Sequence, residues 1–149
     1  MRISRVGTGV AGILTLAAFA APATALENPV RHQEIGVNCW GLSPNLLDLP
    51  YSGKVTIMTH ANEPGLFTVG GGGRSLFGYT TDTRVDWRNL DNGRTGSATV
   101  SYPQNMYDTS IYRIYNQDSG PGRVALTITA TNRGLLTLPA PTCTGEAII

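Results

Sequence analysis

The stretch that decides the fold reads Arg84-Val85-Asp86-Trp87-Arg88, then Leu90-Asp91-Asn92-Gly93-Arg94-Thr95-Gly96, then Ser97-Ala98-Thr99-Val100-Ser101-Tyr102. In both flanks apolar and polar residues alternate with period two, the spacing of a β-strand with one buried face and one wet face. Between them, Asn92-Gly93 supplies the residue types that most readily take positive φ, as a tight hairpin turn requires. The segment predicts an antiparallel hairpin with Val85, Trp87, Ala98, Val100 and Tyr102 on its core face.

The pattern repeats on both sides of that hairpin. A second hairpin is expected where residues 110–116 and 123–131 flank Gln117-Asp118-Ser119-Gly120-Pro121-Gly122, and the later strand alternates Val124, Leu126, Ile128 and Ala130 with threonines. Upstream, Ile35, Val37 and Cys39 form one series, and Val55 and Ile57 alternate with Lys54, Thr56 and Met58 in another. Residues 66–69, 75–81 and 135–138 read as shorter strands, and the glycines at 70–73 as a mobile interstrand loop. Residues 43–49 are the nearest thing to a helix, and Pro44 and Pro50 confine them to about one turn. Seven or eight short strands predict an all-β domain: an immunoglobulin-like antiparallel β-sandwich, with a small closed β-barrel as the alternative.

Arg2 and Arg5 precede a small-residue apolar run that closes on Ala23-Thr24-Ala25. That order of charged, apolar and A-x-A regions is the form of a secretory signal peptide. Gly7, Gly9, Gly12 and Pro22 interrupt the run, which falls short of the roughly 20 strongly apolar residues of a spanning helix. The expectation is a signal peptide at residues 1–25 and a single domain at 26–149, secreted or held at the cell envelope, with no membrane span in the mature form. Eight Arg against one Lys in residues 26–149 suggest a GC-rich bacterial genome.

Export changes how the cysteines read. Cys39 and Cys143 are the two in the chain, and in an oxidising compartment an isolated pair is most simply one disulfide. Trp40 sits directly beside Cys39, unlike the antibody arrangement, where a Trp lies between two cysteines on central strands.

Without residues 1–25 the chain carries nine basic and ten acidic side chains. So balanced a charge argues against nucleic acid as a partner, because such binding needs a clustered basic footprint. The glycines before Arg74 lack the following helix and Lys-Ser/Thr pair of a phosphate loop. His32 with Glu34 and His60 with Glu63 do not have zinc-ligand spacing, and no Gly-x-Ser-x-Gly accompanies the two histidines. Asp82, Asp86, Asp91 and Asp108 read as surface carboxylates, with Asp86 ion-paired beside Arg84 and Arg88 and Asp91 shaping the turn. No cofactor, metal or catalytic residue is expected.

Tyr102, Tyr107, Tyr112 and Tyr115 fall close together beside Met106, Ile111 and Arg113, a composition enriched at protein interfaces. If Tyr112 and Ile114 point inward, Ile111, Arg113 and Tyr115 share the outer face. The expected contact surface is Tyr107, Ile111, Arg113 and Tyr115, and the expected function is non-catalytic binding of a protein or cell-envelope component. A small-ligand carrier with an apolar pocket between the sheets, lined by residues such as Phe77, Trp87 and Leu126, is the second reading. A small secreted hydrolase is the third.

Overall fold

Alternating burial along the strands builds two antiparallel sheets. The computed structural model describes residues 30–106, 110–139 and 142–149, and of residues 34, 36–38, 110 and 139 the backbone alone. The expected signal segment and Tyr107 lie outside the described residues. Nine strands follow in order among these: β1 (Val30–Gly41), β2 (Tyr51–His60), β3 (Leu66–Gly73), β4 (Tyr79–Asn89), β5 (Thr95–Gln104), β6 (Ser110–Asp118), β7 (Arg123–Arg133), β8 (Thr137–Pro139) and β9 (Cys143–Ile148). One sheet has the order β1-β2-β3-β6; in the other, β5-β4-β7 continues to β8 and β9, which share the far edge of β7. The result is a two-layer sandwich, not a closed barrel. Antibody constant domains order their sheets ABED and CFG; here the first three strands are sequential neighbours, so the likeness is to the two-layer plan.

The deciding hairpin forms as its alternation requires. Val85 pairs with Ala98 and Trp87 with Gly96, and Gly93 takes φ +78° in the turn. Burial along β4 alternates without a break. Ile57, Phe67 and Val69 from one sheet meet Val85, Trp87 and Leu126 from the other, and the Phe67 and Trp87 rings pack edge to face at 6.0 Å, a favoured aromatic geometry. Cys39 and Cys143 form the expected disulfide, which joins β1 to β9 and so one sheet to the other.

Three expectations need correction. The glycines 70–73 form the end of β3 instead of an interstrand loop, because their backbone is paired on both sides: Gly70, Gly71 and Gly72 stand opposite Thr56, Val55 and Lys54 on β2 and opposite Arg113, Tyr112 and Ile111 on β6. The expected strand at 75–81 begins only at Tyr79, since residues 74–78 turn around Ser75, whose hydroxyl accepts from Gly78 N at 2.8 Å. The expected hairpin of residues 110–116 with 123–131 does not form, because β6 pairs with β3 in one sheet and β7 with β4 in the other, so the connection between them crosses from layer to layer. Strand β9 is an addition to the expected strands.

The two ends of the sandwich differ in chemistry. At one, the fully buried Asn89 donates through Nδ2 to the carbonyls of Ser119, Gly120 and Pro121, and accepts through Oδ1 from Asp91 N and Asn92 N. Exposed Arg94 and Asp118 pair across the same end at 2.9 Å. At the other, Asn45 and Asp48 of the β1–β2 loop tie three loops together. Asn45 donates to Gly78 O and accepts from Leu135 N, and Asp48 accepts from Ser75 Oγ and Leu76 N. Burial opposes ionisation of Asp48, yet hydrogen bonds from Ser75, Leu76, Leu49 and Asn45 outweigh it and hold the carboxyl below its ordinary value.

Candidate functional site

The outer face of the four-stranded sheet carries a cavity of about 590 Å³. Strand alternation on β2 sends Tyr51, Gly53, Val55 and Ile57 into the core and leaves Ser52, Lys54, Thr56 and Met58 outside. Next to that row, β3 has no side chains over its last four residues. The missing Cβ atoms serve both faces. A Cβ on Gly71 would lie 2.8 Å from the Tyr112 ring and hydroxyl, and one on Gly73 would strike Gln104; both therefore face the core, where bulk is already present. A Cβ on Gly70 would meet the end of Met58 at 3.0 Å, on the open side. The glycines thus lower the floor of a trough while making room for large groups beneath it.

Ile111 and Arg113 of β6 form one wall, with Lys54 and Met58 of β2 opposite and His32 of β1 beyond. Leu49, Pro50 and Arg74 close the end nearest the loops. Arg84, Arg94, Arg123 and Arg133 are each paired with an aspartate elsewhere on the protein, whereas among the described residues no carboxylate pairs with Arg74 or Arg113. On β1, Glu34 stands in register with Thr56. The arrangement gives cations at intervals along an apolar channel. Its chemistry suits an elongated molecule with anionic groups and an apolar segment, since such a ligand could satisfy both kinds of surface at once.

Beneath the floor lies a buried polar layer. The Tyr102 and Tyr112 rings are 4.9 Å apart, and Gln104 Nε2 donates to Thr81 Oγ1 at 2.9 Å and to the Tyr102 hydroxyl at 3.3 Å. Thr81 in turn donates to Asn132 Oδ1 at 2.9 Å. Burial pushes the phenols of Tyr51, Tyr79, Tyr102 and Tyr112 above their ordinary value, so all four stay protonated at neutral pH. The Tyr79 hydroxyl, Gln104 Oε1 and Asn132 Nδ2 are buried with no hydrogen-bond partner among the described residues.

Of the residues expected to form a contact surface, Ile111 and Arg113 line the trough. Tyr115 lies exposed two positions further along β6 and outside it. Trp87 and Leu126 are core residues, but Phe77 projects from the loop before β4 and is exposed, so those three do not enclose a common pocket. His60 ends β2 and Glu63 lies in the β2–β3 turn, and both border a second cavity of about 440 Å³ with Arg31 and Ile149. No group of three His, Cys, Asp or Glu side chains could hold a metal among the described residues. Asp86 and Arg84 form the expected exposed ion pair at 2.7 Å.

Sequence reasoning missed the glycine floor and the flanking Lys54, Arg74 and Met58. The available signal was the run of glycines directly after Phe67, Thr68 and Val69 and directly before Arg74, which fits an extended strand as well as a loop. No family model matches the chain, and no curated protein or solved structure matches it.

Proposed function

We propose that the protein is a non-catalytic binding protein that holds an elongated amphipathic anion along the glycine-floored trough. The observation that carries this reading is the juxtaposition of a side-chain-free floor with Arg113 and Arg74 at its margins. A guanidinium pairs with phosphate or carboxylate through two parallel hydrogen bonds, which would fix the anionic end. Leu49, Pro50, Met58 and Ile111 offer apolar surface for the remainder. The carrier reading therefore applies to the outer face of a sheet instead of the space between sheets.

A catalytic reading finds less support in the same residues. His32 pairs in register with Met58, six positions along β2 from Ser52, about 20 Å at the rise of a strand. Export and residence outside the cell or in its envelope belong to the same proposal; the Cys39–Cys143 disulfide and the signal-like residues 1–25 support them.

The test is calorimetric titration with dodecyl phosphate below its micellar concentration, with dodecanol as the neutral control. Saturable binding of the phosphate is expected, about tenfold or more weaker in Arg113→Ala for loss of one charged contact. Gly70→Val, which fills the floor, should abolish it. Absence of saturable binding, or affinity unchanged by Gly70→Val, would reject the trough as the site.

A further inference from the structure

The end of the sandwich stitched by Asn45 and Asp48 exposes an unusual amount of apolar surface. Leu46 and Leu47 project from the β1–β2 loop, Leu76 and Phe77 from the β3–β4 loop, and Leu135 and Leu136 from the β7–β8 loop, and all six are exposed. Leu42 and Leu49 extend the patch along the first loop. Single exposed leucines are ordinary, but a contiguous group on one end of a water-soluble fold marks a contact surface.

Leu47 is the clearest member. It has φ +63°, the left-handed region that costs a residue with a Cβ about 1 kcal/mol or more, and its side chain is 94% exposed. Neither the conformation nor the exposure benefits the folded chain in water. The loops beneath are nonetheless held in place. Leu136 N donates to Pro44 O at 2.9 Å, Leu135 N to Asn45 Oδ1 at 2.9 Å and Asn45 Nδ2 to Gly78 O at 2.9 Å. The apolar tips are therefore presented from fixed positions on three loops.

We infer that this end docks on a lipid bilayer bearing anionic headgroups, with the leucines and Phe77 entering the acyl boundary. Three features select a bilayer over a protein partner. The tips come from separate loops, with no strand edge among them for a partner strand to extend. Their composition is leucine-rich, whereas protein hot spots favour Trp, Tyr and Arg and are poor in Leu. A cation free to reach an anionic headgroup stands beside them, although the end as a whole carries no net charge: Arg74 precedes Leu76 and Phe77 by two and three positions, and among the described residues it has no carboxylate partner. The other described ionisable side chains at this end are Asp48, tied to its donors, and Arg133, paired with Asp82; Asp108 lies outside the described residues. Trp40 is 60% exposed on β1 just before Leu42, the headgroup level at which an indole settles in membrane proteins. The docked state leaves the chain on the bilayer surface and not across it.

The inference does not rest on the trough reading, and one experiment separates the two. The full chain in the form its cell produces is mixed with vesicles of phosphatidylcholine alone or with about a third phosphatidylglycerol. Binding is read by flotation and by quenching of Trp40 with brominated lipid, Trp87 being buried. Partition into the anionic vesicles with quenching of Trp40 is expected. Leu47→Ser with Phe77→Ser should lower the partition coefficient about a hundredfold, roughly tenfold for each large apolar side chain withdrawn. Gly70→Val should leave partition unchanged even where it removes dodecyl phosphate binding. Binding without quenching would assign attachment to another part of the chain, such as residues 1–25, and would overturn the inference. So would equal partition of the double variant, or a wild-type dimer that the double variant dissolves while vesicle binding is absent.

Discussion

Replacing Asp48 by alanine should cost about 2 to 5 kcal/mol at pH 7, and part of that should vanish in acid. The carboxylate accepts from Ser75 Oγ at 2.6 Å, Leu76 N at 2.7 Å, Leu49 N at 2.7 Å and Asn45 Nδ2 at 3.3 Å. Without it, the exposed amides of Leu49 and Leu76 turn to water, a net loss of about 0.5 to 1 kcal/mol each. Asn45 keeps its bond to Gly78 O. Ser75 is fully buried, and its proton is left without that acceptor, which adds about 1 to 3 kcal/mol. The pH dependence follows from the direction of the shift. Hydrogen bonding holds the folded-state pKa of Asp48 below its ordinary value of 3.8 despite burial. The stabilisation is therefore complete above the unfolded-state pKa and is lost as pH falls through the lower folded-state value. Guanidinium unfolding of wild type, Asp48→Ala and Asp48→Asn, followed by fluorescence from pH 7 to pH 2, measures the gap. Asp48→Asn should be intermediate and flat with respect to this titration. A gap under about 1 kcal/mol at pH 7, or one that persists unchanged at pH 2, would refute the assignment of Asp48 as the staple.

Two further predictions concern stability. Replacing both Cys39 and Cys143 by alanine releases a constraint spanning 104 residues, for which chain entropy gives about 4 to 5 kcal/mol; calorimetry should show the melting temperature lower by about 10 to 20 °C. Tyr79→Phe removes a buried hydroxyl that has no partner among the described residues and should leave the denaturation midpoint unchanged or slightly raised. Tyr102→Phe removes one of the two acceptors of Gln104 Nε2, which keeps Thr81 Oγ1, and should cost about 1 to 2 kcal/mol in the same assay.

The parts of the fold legible in the sequence were those fixed by near neighbours. The β4–β5 hairpin carries its register in period-two alternation and its turn in Asn92-Gly93, so that pairing could be read locally. The same signals over residues 110–131 misled, because alternation shows that a strand has a buried face but not which neighbour it pairs with, and here β6 pairs with β3 while β7 crosses to β4 in the other sheet. Four consecutive glycines carry no period, and the extended state of residues 70–73 comes from strands on either side. The loop at 74–78 is likewise decided at a distance, by Asp48 reaching Ser75 across 27 residues. Strand β9 places only Cys143 and Ala147 in the core, too small an apolar signal to stand out. At the site, the outward placement of Ile111 and Arg113 was readable from alternation on β6. What they face was not, because Lys54 and Met58 belong to a strand separated from β6 by β3. The leucines at 42, 46, 47 and 49 gave no warning either, since an apolar residue near prolines reads as readily inward as outward.

The disulfide has a mechanical consequence whenever the two ends of the chain are pulled apart. Tension applied between the two ends of the chain reaches Cys39 and Cys143 before any strand between them, and the covalent bridge carries it from β1 to β9. Strands β2, β3 and β6, which shape the trough, lie wholly between the cysteines and bear none of the load while the bridge is oxidised. Pulling can then extend only residues 30–38, residues 144–149 and whatever lies outside them. Reduction places the whole sandwich in series with the applied force, making the thiol state of one bond a fuse for the entire fold.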